Sequence, residues 1–191
     1  MLTVESAVGK IMSSIVYVFS DGISQDYYLI DIGDFAAAQR LLPDDARVRG
    51  VFLTHGHHDH IMGINVLKAA YPECVVYVSE ESQKMLASAK ANLSYYVETA
   101  SEIEYEGEVT LLHDGDRIEL FKGIHLDVIA TPGHHPSCLS YLVGDYLFTG
   151  DSYIPGVKVV TNLPKGNKKQ AEESVARILE FGRGRVICPG H

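Results

Sequence analysis

Thr54-His55-Gly56-His57-His58-Asp59-His60 sets four imidazoles and a carboxylate within six residues, directly after an apolar run. Imidazole nitrogen and carboxylate oxygen are the donors of hydrolytic zinc sites, so this stretch has the chemistry to hold divalent metal. If strand geometry continues through it, His55 and His57 point the same way and reach one ion, while Asp59 and His60 lie beyond a turn. One loop then serves two metals. The alternative is a solvent-exposed His-rich segment, which needs no metal.

The rest of the chain favours a site. Three more apolar runs end in a ligand-type residue: Leu126 to Ala130 leads to Thr131-Pro132-Gly133-His134, Tyr146 to Thr149 leads to Gly150-Asp151, and Arg185 to Cys188 leads to Pro189-Gly190-His191. Each of these ligands follows Gly, the residue that tolerates a left-handed backbone and a close approach at a sharp turn. Four strand ends therefore carry donors, a coincidence that packing alone does not explain.

Those strands belong to an alternating α/β pattern. Ile15 to Phe19 and Tyr27 to Ile32 flank the Ser20-Asp21-Gly22 turn and read as a hairpin. Phe35 to Leu42 reads as a short helix stopped by Pro43, and Arg49 to Thr54 as a buried strand. Ile61, Ile64, Leu67 and Ala70 or Tyr71 recur at helical spacing after the His-rich stretch. Cys74 to Val78 reads as a strand, and Ser79-Glu80-Glu81 as the start of a helix running to about Ala91. From Ile103 to Ala130 alternation predicts an antiparallel meander, with Tyr141 to Val143 and Tyr146 to Thr149 as further strands. Asn167 with Gln170 resembles a capping box for a helix ending at Phe181, ahead of a last strand at Arg185 to Cys188. No linker or repeat interrupts this pattern, and residues 1–191 are expected to form one domain.

Composition excludes several classes. With 46% hydrophobic and 21% charged residues the chain is neither disordered nor fibrous. A net charge of −9 argues against nucleic acid as a partner, because phosphate binding needs clustered Lys and Arg. Lys165, Lys168 and Lys169 form the one basic cluster and read as a solvated face. Cys74, Cys138 and Cys188 are too scattered for a disulfide framework or a cysteine-type zinc ribbon, and read as small buried residues in a reducing compartment. The first twenty residues lack the features of a signal peptide, and no run has the length of a membrane span, which predicts a cytoplasmic protein without a membrane partner.

The ordered set His55-x-His57-x-Asp59-His60, then His134, Asp151 and His191, resembles the metallo-β-lactamase superfamily, and Tyr28-Leu29-Ile30-Asp31-Ile32-Gly33 is similar to that family's early strand. The resemblance implies the metallo-β-lactamase fold, a four-layer αββα sandwich. It also implies two divalent metal ions, zinc first with iron or manganese as alternatives. His55, His57 and His134 would bind one, Asp59, His60 and His191 the other, and Asp151 would bridge them. Lactam-hydrolysing members lack that bridging Asp, so Asp151 aligns the chain with glyoxalase II and lactonase-like members. The implied reaction is hydrolysis by a metal-bridging hydroxide of a small-molecule ester, thioester, lactone or phosphoester, with Asp59 and Asp151 as the catalytic carboxylates. The sequence ends at His191, where relatives continue, so the expectation is that the last ligand is terminal and that the glutathione-gripping helical domain of glyoxalase II is absent.

Tyr153 and His135 are candidates for substrate contact: lactonases place a Tyr shortly after the bridging Asp, and relatives often have Thr where His135 stands. Core packing is the alternative for Tyr153. Asp31 either orients a ligand imidazole or ends a strand in an ordinary turn. His58 is assigned no metal, and His113 and His125 read as surface or packing residues. Two other functions remain open at this point: an oxidoreductase like the mononuclear iron persulfide dioxygenases, and a non-catalytic metal-binding member. Metal identity and turnover separate them.

Overall fold

Asp21 sets the turn between the strands Ile15–Ser20 and Asp26–Ile30. Its carboxylate accepts from the Ile23 and Ser24 N–H groups at 2.9 and 2.8 Å, an Asx turn that lowers its pKa below the ordinary carboxylate value. The computed structural model describes residues 2–98 and 101–191. They form two units, Met1–Leu111 and Leu112–His191, each with its own sheet.

In the first unit, β1 (Thr3–Val8) and β2 (Ile15–Ser20) are antiparallel, as are β2 and β3 (Asp26–Ile30), with Tyr17 opposite Ile30. Parallel pairing then adds β4 (Arg47–Phe52), β5 (Val75–Val78) and the two-residue β6 (Thr110–Leu111), giving the order β1-β2-β3-β4-β5-β6. Parallel strands need their faces covered, and the central ones carry fully buried Val51, Leu29 and Val76 in one apolar cluster with Ile61, Ile64 and Leu67. Those last three come from α2 (His58–Ile61) and α3 (Ile64–Ala70). The helical spacing after the His-rich stretch is thus real but divided at Gly63, whose N–H leaves the helical ladder and donates to Ile32 O at 2.7 Å.

Other elements are shorter than expected. Helix α1 (Phe35–Gln39) is capped by the Asp34 side chain on Ala37 N, and α4 (Glu80–Leu86) by Ser79 on Ser82 N. Helix α4 stops before Ala91 because the Asn92 amide takes the carbonyls of Met85 and Ile103, tying the chain into turns. The meander expected over Ile103 to Ala130 is corrected. Residues 103–109 form no strand, although Ile103 and Tyr105 alternate into the core, and β6 joins the parallel sheet. Alternation reported which side chains are buried, and pairing was decided by tertiary contacts.

The second unit has the order β11-β10-β9-β8-β7. Strands β7 (Arg117–Phe121), β8 (Ile124–Ala130), β9 (Leu139–Val143) and β10 (Tyr146–Gly150) are antiparallel, and β11 (Val186–Pro189) runs parallel to β10. Helix α5 (Lys168–Phe181) begins where the Asn167 side chain accepts from Gln170 N, as its capping residues predicted, and buries Ala171, Ser174 and Ile178 on one stripe. No helix among the described residues is long and apolar enough to cross a membrane.

Candidate metal centre

In the first unit, the donors follow β4 on a loop rather than on the strand itself: His55 and His57 lie beyond Phe52, and Asp59 and His60 sit on α2. This corrects the strand explanation of His-x-His. The two imidazoles still meet, edge to face with ring centroids 4.7 Å apart, and His55 and His60 are at 4.2 Å. His55 and His60 are 0% exposed, His57 4% and Asp59 5%, which removes the solvated His-rich segment as an explanation.

Asp31 explains how these rings are held. It follows β3 with φ +57°, a left-handed conformation rare for a residue with a side chain. Its Oδ1 accepts from Thr54 N at 2.7 Å, and its Oδ2 from Thr54 Oγ1 and His60 Nδ1, both at 2.8 Å. With the Thr54 hydroxyl proton committed to Asp31, the oxygen accepts from His55 Nδ1 at 3.1 Å. One carboxylate therefore fixes the tautomer of two imidazoles and leaves each Nε2 as the donor atom. Of the two readings open for Asp31, orientation of a ligand is the one its bonds support. The backbone follows suit: Ile32 N donates to His60 O at 2.8 Å, and Ser14 Oγ to Asp59 O at 2.7 Å.

Asp31→Asn isolates this effect, since Asn also tolerates the left-handed backbone but sets an amide donor against the donors of Thr54 and His60. Metal affinity, measured by competition with a chromogenic chelator, is expected to fall about 10–100-fold. Unchanged affinity would refute the orienting role.

In the second unit, β8, β10 and β11 lead to His134, Asp151 and His191. His134 Nδ1 donates to Val160 O at 2.9 Å, again leaving Nε2, which lies 3.6 Å from Asp151 Oδ2. His191 Nε2 lies 3.4 Å from the other oxygen, Oδ1. Helix α5 steadies the His134 loop: Arg177 donates to Ala130 O, Ser174 Oγ to Pro132 O at 2.6 Å, while Gly133 O accepts from Asn167 N at 2.8 Å. Gly133 and Gly150 have positive φ, as the Gly-before-ligand pattern suggested, whereas Gly190 before His191 does not.

Donor chemistry and spacing fit a metal. Two atoms each about 2.0–2.2 Å from one tetrahedral ion sit roughly 3.3–3.6 Å apart. The Asp151 contacts with His134 and His191 fall in that range, as does His60 Nε2 to Asp59 Oδ2 at 3.6 Å in the first unit. Burial pushes the Cys74 and Cys188 thiols up to about 12, away from the thiolate form.

Of the substrate candidates, His135 is buried, its Nδ1 accepting from Ser137 N at 3.1 Å and lying 2.8 Å from Ser137 Oγ. Tyr153 packs on the small apolar cluster of Ile129, Leu147 and Ile178 while also lining a cavity. The Thr54 hydroxyl was missed as an orienting group, although its place before His55 was a signal. The Val160 carbonyl left no signal, because any residue type supplies one.

Known proteins resemble this chain in sequence and in fold. The sequence profile described as the metallo-beta-lactamase superfamily matches residues 9–191. Hydroxyacylglutathione hydrolase of Erwinia tasmaniensis is 29% identical over 164 residues, 85% of this chain and 56% of that protein. The chain thus spans just over half the length of the curated relatives it matches. The crystal structure of the B3 metallo-beta-lactamase BLEG-1 superposes with a TM-score of 0.88 over 99% of this chain and 91% of that one, at 22% identity. An archaeal metallo-beta-lactamase superfamily protein from Sulfolobus tokodaii gives 0.77 over 98% and 79%, at 27% identity. The expected fold is borne out by these likenesses, and the matched profile, spanning nearly the whole sequence with every proposed ligand inside it, shows that the chain belongs to the metallo-β-lactamase superfamily.

Proposed function

We propose that residues 1–191 act as one metallo-β-lactamase-fold domain and a metal-dependent hydrolase of an ester, thioester, lactone or phosphoester. The observation that carries this is Asp151, whose two oxygens face two different histidine Nε2 atoms at 3.6 and 3.4 Å, the arrangement of a carboxylate shared between ions. His55, His57 and His134 are proposed to hold one divalent ion and Asp59, His60 and His191 another, with zinc the first expectation and iron or manganese the alternatives. This assignment is carried over from the family. Divalent ions held there would supply Lewis acidity and lower the pKa of water to about 7, making a nucleophile available at neutral pH.

The chain's own residues do the rest. Asp31 keeps His55 and His60 in the Nε2-donor tautomer, and Val160 O does the same for His134. Asp59, anchored through its carbonyl by Ser14, is proposed to orient the attacking water, accepting its proton at a carboxylate oxygen. The relatives named hydroxyacylglutathione hydrolase support a thioester as the first substrate to try. Three buried cysteines too scattered for a disulfide framework accord with a reducing, cytoplasmic setting.

The test is a panel of thioester, ester, lactone and phosphodiester substrates, assayed with the protein as purified, after chelation, and after return of zinc, iron or manganese. Turnover that is lost on chelation and restored by metal is expected. Turnover that survives chelation would overturn the proposal, and oxygen uptake with iron in place of hydrolysis would select the dioxygenase alternative.

A further inference from the structure

Helix α5 and the segment after Asp151 border an open cavity of about 340 Å³ within the second unit. That volume lies in the range of small-molecule sites, and the lining is the expected mixture of an apolar body with few polar groups. Val157, Val159, Ala171 and Val175 supply the apolar wall, with Tyr153 beside them. A smaller cavity of about 30 Å³ is lined by His134 and Asp151, and it shares Val157, Lys158 and Val159 with the larger one. The same strip of chain therefore borders both the proposed ligands and the apolar space.

That strip is built, not loose. Ile154-Pro155-Gly156-Val157 forms a turn in which Val157 N donates to Ile154 O at 3.0 Å, with Pro at the second position and Gly156 at φ +77°, the pattern of a type II turn. Farther along, Val160 O holds His134. Val157 and Val160 are exposed in spite of their apolar side chains, at 56% and 46%. They extend the apolar wall of the cavities to its solvent-facing rim.

Charge narrows the ligand. Lys168 and Glu172, both in the cavity's lining, pair at 3.8 Å and offset each other, which leaves Lys158, an exposed residue lining both cavities, as the charge without a carboxylate partner among the described residues. A cation at the junction of an apolar cavity and a reaction site offers an anionic group a partner there.

We propose that this cavity is a substrate subsite for an elongated apolar chain carrying an anionic group, with the chain on Val157, Val159 and Val175 and the anion at Lys158. It rests on the hydrolase reading only for the place of the scissile bond, beside His134 and Asp151. The substrate class is then an amphiphilic anionic ester or thioester, and neutral or purely polar substrates are the poorer ones.

Binding tests it without turnover. Linear alkyl sulfonates from four to eight carbons, which are weak metal ligands, are titrated into the zinc-loaded protein by calorimetry, with octanol as the neutral control. Each added methylene is expected to tighten binding about fourfold, on the order of 10² across the series. Lys158→Glu, on an exposed loop position, is expected to weaken octanesulfonate about tenfold and erase its advantage over octanol. Val157→Asp, also exposed, is expected to flatten the chain-length dependence. Equal binding of butane- and octanesulfonate, or octanol binding as tightly as octanesulfonate with Lys158→Glu changing neither, would overturn the proposal. Chain-length-dependent binding by a protein that hydrolyses nothing on the panel would uphold the subsite and sink the hydrolase reading. Hydrolysis of short neutral thioesters with no gain from chain length would do the reverse.

Discussion

Asp151→Ala is expected to lower kcat/KM on the best panel substrate by on the order of 10³ and to strip at least one metal ion per chain. The loss corresponds to about 4 kcal/mol of transition-state stabilisation. Asp151 stands at the end of β10, and its oxygens are the groups common to His134 and His191, at 3.6 and 3.4 Å. Without them, His134 keeps its bond to Val160 O, but both imidazoles would lose the anion proposed to offset dication charge. The fold is expected to survive. Neighbouring Thr149 and Ser152 make their own bonds, Thr149 Oγ1 to Tyr153 O at 2.7 Å and Ser152 Oγ to Thr131 O at 2.8 Å, and neither uses the Asp151 side chain. Elemental analysis, steady-state kinetics and a thermal melt on the same preparation separate these effects. Wild-type metal content and rate in the variant would refute the shared-carboxylate role.

Gly33→Ala is the largest expected structural effect. A Cβ on Gly33 would lie 1.8 Å from Asp59 O and 2.5 Å from Ser14 Oγ, and the first of these is backbone that cannot swing aside. The collision falls at a junction already fully used: Asp59 O accepts from Ser14, and Ile32 N from the preceding position donates to His60 O. Relief requires α2 to move as a piece, taking Asp59 and His60 with it. A cost of about 3 kcal/mol or more is expected, read as a shift in the denaturation midpoint, together with weaker metal binding. Gly115→Ala offers a contrast, since a Cβ there meets nothing within 4 Å and the strain comes only from φ +85°. Equal loss in the two variants would show that the packing at Gly33 is not what matters.

The sequence was informative where residue type itself carries the chemistry. His55, His57, Asp59 and His60 were legible because no other residues supply those donors, and His134, Asp151 and His191 because each closes an apolar run. The α5 cap was legible for the same reason: Asn167 does with its side chain what such residues do. What could not be read depended on partners remote in sequence. Strand β1 has weak alternation and is fixed by pairing along β2, and α4 ends where Asn92, six residues after Leu86, captures a carbonyl. Residues 103–109 show strand-like alternation because one face is buried, yet no neighbouring strand is available to pair with them among the described residues. The orienting bonds divide in the same way. Asp31 was a candidate because a carboxylate can serve an imidazole, whereas Val160 O was invisible, being a main-chain atom placed by a loop.

The central claim is that these seven side chains hold divalent metal for hydrolysis, and metal content tests it most directly. Elemental analysis of the protein purified without added metal is predicted to give close to two divalent ions per chain, in proportion to thioesterase or esterase rate across partly chelated samples. A metal-free preparation that hydrolyses substrate at full rate would contradict it.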